Sequence, residues 1–491
     1  MGGKSIKRNY IYNTAYTILT ILTPLLTAPY VSRVLEADGV GIISFAVSAV
    51  SYFGMFAVMG TADYGQREIA YCRDDKEKRS IVFWETVFLR LINTLIALSV
   101  YLFLVYSYAK SYRHVYFIYA VSLSAAFLEI SWLFAGLEEF GKLALRSTAI
   151  RLLDVTFVFL LVKTKSDVPV YSAIYVSFSV AGALSMWRYV PMYIQKPDFK
   201  KIRPFRNIRT VWSLFLPSIA VQVYTVLDKT MIGLFTEGTF ENGYYEQALK
   251  ISKVTLALVT SLAGVMIPRI GYLFGKKDFE MIRFYMYRSY RFVLFLSIPL
   301  CFGLIGVSDN FVPWFFGPGY EKVAGLLKIS SFIIICIGFS CAGGVQYLVP
   351  TKRQKLFTYS VTAGAITNFS LNIILIRMYQ SYGAVVASVI AEIAVVAAEF
   401  YFIHKELSFR RIIISGVNYY ISGALMLALL LFMNAELTPS VIHTAEMVAA
   451  GAAVYFSSLL ILRDQFFLEY CAKALGFIRR KFLRRTENTE A

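Results

Sequence analysis

Runs of about 20 residues, apolar on every side, recur along the whole chain, and they constrain its fold more than any other feature. They are read at 11–32, 40–62, 81–106, 114–136, 146–164, 168–190, 212–235, 247–270, 289–308, 324–348, 356–377, 383–403, 413–433 and 442–462, about fourteen in all. A helix of that length crosses the hydrocarbon core of a bilayer and satisfies its backbone hydrogen bonds internally. A soluble chain would show polar helix faces and about 25% charged residues. Here 57% of the 491 residues are apolar types, only 16% are charged, and mean hydropathy is +0.59. The expected fold class is an all-α polytopic membrane protein.

Basic residues set the orientation, because Lys and Arg are retained on the cytoplasmic side. With the N-terminus (Lys4, Lys7, Arg8) inside, the inside segments include "REIAYCRDDKEKRS", "KPDFKKIRPFRNIR", "PRIGYLFGKKDFEMIR", "TKRQK", "HKELSFRR" and "RRKFLRR". These hold most of the 49 Lys and Arg, so both termini are expected in the cytoplasm. The net charge of +18 is then mainly topology plus contact with anionic lipid, and nucleic acid is not an expected partner. The tail stretch "KALGFIRRKFLRR" is expected to lie on the inner membrane surface as an amphipathic helix. The N-terminus does not read as a cleavable signal, since the first run is too long and lacks a small-residue cleavage site.

Catalytic and metal chemistry have little to stand on. Cys72, Cys301, Cys336, Cys341 and Cys471 show no metal spacing and none falls in an outside loop, so neither a zinc site nor a disulfide framework is expected. His114, His404 and His443 are far apart in sequence. No cofactor is expected. No loop is large enough for a soluble catalytic domain, and a membrane polymerase or ligase would be expected to expose a long outside loop.

A shift of 202 residues brings several features into register. "VGIISFA" (40–46) falls on "NGYYEQA" (242–248), matching Gly41 with Gly243 and Ala46 with Ala248. "QREIAYCRDDKEKRS" (66–80) falls on "PRIGYLFGKKDFEMI" (268–282), matching Arg67 with Arg269. With a slip of one, "GAL" (182–184) falls on "GAV" (383–385). The expected organisation is an N-lobe (1–205, spans 1–6), a C-lobe (206–410, spans 7–12), two added spans (411–462) and a cytoplasmic basic tail (463–491). An even number of spans per lobe makes the repeat parallel, a transporter layout with a site between lobes.

The segments "YVSRVLEADGVGIISFA" (30–46), "QREIA" (66–70), "WLFAGLEEF" (132–140), "VLDKTMIGLF" (226–235), "GYYEQALKI" (243–251) and "GAITNFSLNIILI" (364–376) resemble, in this order, motifs of the bacterial polysaccharide repeat-unit flippases of the Wzx type. The resemblance covers nearly the whole chain. It implies membership of the multidrug/oligosaccharidyl-lipid/polysaccharide exporter superfamily, a V-shaped two-lobe fold with alternating access, and a polyprenyl-diphosphate-linked oligosaccharide as substrate. Pathway partners it implies are a polysaccharide polymerase and glycosyltransferases, and the expected location is the bacterial plasma membrane.

Such a substrate has an anionic, sugar-bearing head that cannot cross hydrocarbon unaided. A carrier needs cationic groups for the diphosphate and amides or hydroxyls for the sugars. Charges inside spans are therefore the candidates. Arg90 and Arg151 lie in inner halves of their spans, Lys229 in an outer half, and Lys250 and Lys253 near the outer face. Arg33 stands just outside the first span. Asp228, Asp154 and Glu392 are candidate coupling or gating acids, with a proton or sodium ion as the coupling species. Each has a plainer reading. Arg151 and Asp154, three apart on one helix, can neutralise each other. Asp228 and Lys229 point about 100° apart, so each needs a partner on another helix or faces water. Lys250 and Lys253 can snorkel to the interface, and Arg33 can be an interfacial anchor. Asn368 and Asn372, four apart on one face, can contact sugar or bond another helix. Glu129 and Glu399, near inner ends, read as solvated. The alternative function is a cation-coupled multidrug or other lipid-linked precursor exporter of the same superfamily. Against it, the first span carries no acid for a coupling ion.

Overall fold

The computed structural model describes residues 6–109 and 111–472, with side chains from residue 23 onward except 216–218 and 220–225. The expected amphipathic tail helix lies outside the described residues. All regular structure among them is helical, as expected for an all-α polytopic protein. The first half runs α1 (Ile6–Val58), α2 (Thr61–Tyr71), α3 (Lys76–Tyr108), α4 (Arg113–Leu128), α5 (Ser131–Gly136), α6 (Phe140–Leu161), α7 (Val168–Trp187) and α8 (Val190–Tyr193). The second runs α9 (Ile208–Phe235), α10 (Phe240–Thr260), α11 (Ala263–Gly275), α12 (Phe279–Phe316), α13 (Glu321–Ser330), α14 (Phe332–Ser340) and α15 (Gln354–Ile403). A π-helical stretch, Cys341–Leu348, continues α14, and α16 (Phe409–Ser415), α17 (Val417–Glu436) and α18 (Val441–Ile461) close the chain.

Ten helical stretches among the described residues are long and apolar enough to cross a membrane. Two of them each contain two of the expected spans. α1 is broken at Glu36 (φ 57°, ψ 178°) and α15 at Gln380 (φ 55°, ψ −131°), so the short loops expected at 33–39 and 378–382 each reduce to a local break. The reversal in α15 needs a glycine: a Cβ at Gly383 would overlap the carbonyl oxygen of Leu375.

α3 shows why the runs read apolar on all sides yet have two faces. Arg90, Thr94, Ala97, Tyr101 and Val105 recur at helical spacing and are buried, while Leu95, Ile96 and Phe103 on the other face are exposed. In a bilayer that open face meets lipid, and small or polar residues hold the packed face. Tyr101 donates from its hydroxyl to the Tyr116 carbonyl at 3.1 Å.

Several backbone features recur at the 202-residue shift. The break at Glu36 has its counterpart at Gly238 (φ 80°). α2 begins at Thr61 and α11 at Ala263, each carrying its arginine in the same turn, Arg67 and Arg269. Asp75 caps α3 by accepting the backbone N–H groups of Glu77 and Lys78 at 3.1 and 3.0 Å, and Asp278 caps α12 by accepting that of Met281 at 3.1 Å. The match of Gly182 with Gly383 is different. Gly182 lies in the last turns of α7 and Gly383 at the start of the second leg of α15, so these two do not occupy corresponding places.

The chain forms two compact units. The first contains residues 1–250 with Phe316–Tyr320 and Asn368–Ala387. The second contains 251–315, 321–367 and 388–491. The core of the second unit joins Tyr290, Val293 and Ile298 of α12 to Tyr419 and Met426 of α17 and Tyr455 of α18.

Candidate functional site

Two adjoining hollows open within the first unit. The larger, of 590 Å³, is walled by α1, α2, α3, α4 and α7, with Ser51, Asp63, Arg90, Tyr119 and Glu129 among its lining. The smaller, of 180 Å³, lies between α6 and α7 and is lined by Arg146, Arg151 and Asp154. Glu129, Tyr175 and Ser179 belong to both.

Arg90 is only 2% exposed. Its Nε donates to Thr61 Oγ1 at 2.5 Å, and its Nη1 donates to the carbonyls of Glu129 at 2.6 Å and Ala126 at 3.2 Å. It thus satisfies carbonyls left open where α4 ends. Glu129, read from sequence as solvated, is 38% exposed in its side chain and accepts Arg146 Nη1 at 2.9 Å and the Ser131 N–H at 2.8 Å. Arg146 escaped the sequence reading because it sits on a span boundary, where an arginine looks like ordinary inside charge. The signal available was spacing: Arg146, Ile150 and Asp154 repeat every fourth residue on the face of α6 that lines the smaller hollow. Arg151 and Asp154 line it together.

A second cluster gathers around α9 and α10. Lys229 Nζ pairs with Glu246 Oε2 at 2.5 Å, and the same oxygen accepts Ser44 Oγ at 3.0 Å. Asp228 is buried, accepting the Tyr245 hydroxyl and Asn372 Nδ2, the latter at 2.7 Å. Asn372 Nδ2 also reaches Asn368 Oδ1 at 3.0 Å, and both asparagines are fully buried. Asn372 thus bonds another helix, while Asn368 is bonded to Asn372 on its own. Each member of the Asp228–Lys229 pair does have its partner on another helix.

Beside this cluster the two repeat glycines meet. A Cβ on Gly41 would overlap the Thr239 carbonyl oxygen, and one on Gly243 would overlap that of Ala37. The contact is reciprocal: each approach maps onto the other under the 202-residue shift. Gln247 Nε2 donates to Ser32 Oγ at 2.9 Å, and Glu241 accepts Ser381 through its N–H at 3.2 Å and its Oγ at 2.5 Å. Arg33 is exposed, its stem against Gly317. Lys250 is half-buried and Lys253 exposed on α10. Glu392 is buried in the second leg of α15. None of these four lines the two hollows. Glu399, expected to be solvated, is 1% exposed and accepts Ser340 Oγ at 2.9 Å, packed against Gly343 and Gly344 of the π-helical stretch. Two adjacent glycines allow that widened turn to admit a carboxylate.

Residues 6–274 match the family described as polysaccharide biosynthesis protein. The chain belongs to that family. Residues 214–374 also match the MatE family. A putative O-antigen transporter of Escherichia coli (strain K12) is 25% identical over 416 residues, covering 82% of this chain and 97% of that protein. A probable low-salt glycan biosynthesis flippase, Agl15 of Haloferax volcanii, is 26% identical over 204 residues, covering 40% of this chain and 41% of that one. Among solved structures, the lipid II flippase MurJ in an inward closed conformation superposes with a TM-score of 0.72 at 16% identity, covering 93% of this chain and 99% of that one. An inward-facing MATE family transporter gives 0.58 at 13% identity, covering 84% and 98%. The fold is therefore the one these solved transporters share, in a multi-pass membrane protein.

Proposed function

We propose that this protein is a flippase that carries a polyprenyl-diphosphate-linked oligosaccharide repeat unit from the cytoplasmic to the outer leaflet by alternating access. The observation that carries this reading is the pair of joined hollows, 590 and 180 Å³, lined by Arg90, Arg146 and Arg151. An anionic head fits arginine forks, which bind phosphate oxygens in pairs. Family membership and relatives named as an O-antigen transporter and a glycan flippase support the substrate class.

In this reading the protein sits in a bacterial plasma membrane with both termini in the cytoplasm. It comprises an N-lobe, a C-lobe and two added spans, and takes its substrate from glycosyltransferases and delivers it to a polymerase. Arg151 and Arg146 receive the diphosphate, Arg90 fixes the wall behind them, and Lys229 meets the head later, once Glu246 releases it. Gly41 and Gly243 close the outer gate. Lys250, Lys253 and Arg33 line the exit, with Asp154 tuning Arg151. Asp228 is the acid on which a coupling proton or sodium ion would sit, with Glu392 as the second candidate. The MatE match supports a second reading, a cation-coupled exporter built around Asp228.

The test is flipping of lipid-linked oligosaccharide in proteoliposomes. Arg151→Gln should lower the rate at least tenfold with normal folded protein. Wild-type rates in Arg151→Gln would remove this residue from the substrate path. Efflux of cationic dyes without oligosaccharide transport would favour the second reading.

A further inference from the structure

The second unit holds a pocket of 660 Å³ that the transport reading does not use. It lies where the start of α12, α16 and the helical turn at 465–472 come together. One wall is a stripe on α12, Arg283, Tyr287 and Arg291 at four-residue spacing, with Phe284 and Arg288 beside it. Arg411 faces in from α16, its guanidinium 4.7 Å from the Tyr287 ring centroid.

The acids here are mostly committed. Glu469 holds Arg288 at 2.8 Å, Glu406 holds Arg353 at 2.9 Å, and Asp464 outside the lining holds Arg291 at 2.8 Å. Among the described residues, Arg283 and Arg411 have no carboxylate within ion-pair distance, and Glu280 is the remaining acid of the wall. Arg288 and Arg291 both stand over the Phe466 ring, at 5.8 and 5.6 Å, which fixes their planes. Phe284 of the wall is exposed, and the exposed Phe409 and Leu468 lie two and one residues along the chain from the lining residues Arg411 and Glu469. The pocket's segments come from loops whose basic content places them on the cytoplasmic side.

Arginine forks with unspent donors recognise phosphate oxygens. Exposed apolar side chains beside them suit acyl chains rather than water. We infer that this pocket binds the phosphate headgroup of an anionic phospholipid of the cytoplasmic leaflet, with Arg283 and Arg411 as its principal contacts. Basic pockets at this depth between spans are used this way. A free phosphate offers the same kind of anionic oxygens but gains nothing from apolar side chains beside them.

The experiment is native mass spectrometry of the full-length protein in detergent with dioleoylphosphatidylglycerol or dioleoylphosphatidylcholine added at equal concentration. Phosphatidylglycerol should be retained in preference, and each of Arg283→Gln and Arg411→Gln should weaken retention about fivefold. Inorganic phosphate should not displace the lipid. Equal phosphatidylglycerol retention in the double variant overturns the assignment, and so does displacement by inorganic phosphate alone. If the Gln pair elutes abnormally, Arg283→Lys with Arg411→Lys decides. Preferential retention of phosphatidylglycerol by that pair supports the site, and no preference overturns it.

Discussion

Asp228 and Lys229 are adjacent in sequence and belong to different networks. Adjacent helical residues diverge by about 100°, so the sequence alone rules out a face-to-face pair. It cannot name the partners, because those depend on how α10 folds back beside α9. Tyr245 and Glu246, also adjacent, supply one partner each. Lys229 and Glu246 are 16% and 25% exposed in their side chains, so breaking the pair leaves a poorly solvated charge. Removing one member of a buried pair costs about 3–5 kcal/mol, and partial exposure here should reduce that to roughly half. Glu246→Gln should thus lower the melting temperature in detergent, and adding Lys229→Gln should restore most of the loss. A double variant as unstable as the sum of the singles would contradict a direct pair. Asp464, outside the spans, is a different case. Burial raises its carboxyl, but the Phe467 N–H and Arg291 outweigh burial and hold it below the ordinary carboxylate range. A depressed folded-state value gives stability that is full above the unfolded carboxylate range and lost as pH falls through the folded one. Asp464→Asn should therefore destabilise at neutral pH and remove part of the acid-side slope, read from melting temperatures across pH 3 to 7.

At the scale of elements, the six segments that resemble the flippase family turn out to be packing partners. The segment at 66–70 meets that at 132–140, where a Cβ on Gly136 would stand 2.7 Å from the Gln66 carbonyl oxygen. The segment at 30–46 meets that at 243–251 through Gly41, Gly243, Ser44 and Glu246. Asn372 of the last segment reaches Asp228 of the fourth. The positions of most apolar helices were legible, because length and apolarity alone decide what crosses a bilayer, but the breaks within α1 and α15 read as loops. Contacts between helices were not legible, since lipid is as apolar as leucine and leaves no patterned hydrophobic face to read. The internal repeat was the exception, and it marked the closest approach in the fold. Backbone carbonyls cannot yield as side chains do, so a methyl group at Gly41 must push α1 and α10 apart. Gly41→Ala should reduce disulfide cross-linking between Ala37→Cys and Thr239→Cys, and Gly243→Ala should do the same. Undiminished cross-linking in both would show that the close glycine contact does not hold α1 and α10 together.

For the whole molecule the question is which half of the cycle feels the membrane potential. A diphosphate carries about two negative charges, and each gains roughly 2.3 kcal/mol per 100 mV on moving outward across an inside-negative membrane. With nothing co-moving, that biases accumulation by about three orders of magnitude per 100 mV. The substrate-free protein has little such charge to move, because Lys229 is paired with Glu246 and Arg146 with Glu129, while Arg151 lies beside Asp154. On the proposed function the loaded step should therefore be voltage-sensitive and the empty return should not. In proteoliposomes with a potassium diffusion potential, inside-negative polarity relative to the loading face should raise the initial flipping rate, and reversed polarity should suppress it. Glu246→Gln removes one counter-charge, so one positive charge then moves outward with the loaded site and inward with the empty one: its loaded step should respond less to the potential than the wild type's, and its empty return should be speeded by the potential. An initial rate in the wild type that does not change with potential would mean that another charge travels with the diphosphate. The acid at Asp228 would then be the place to look for its binding site.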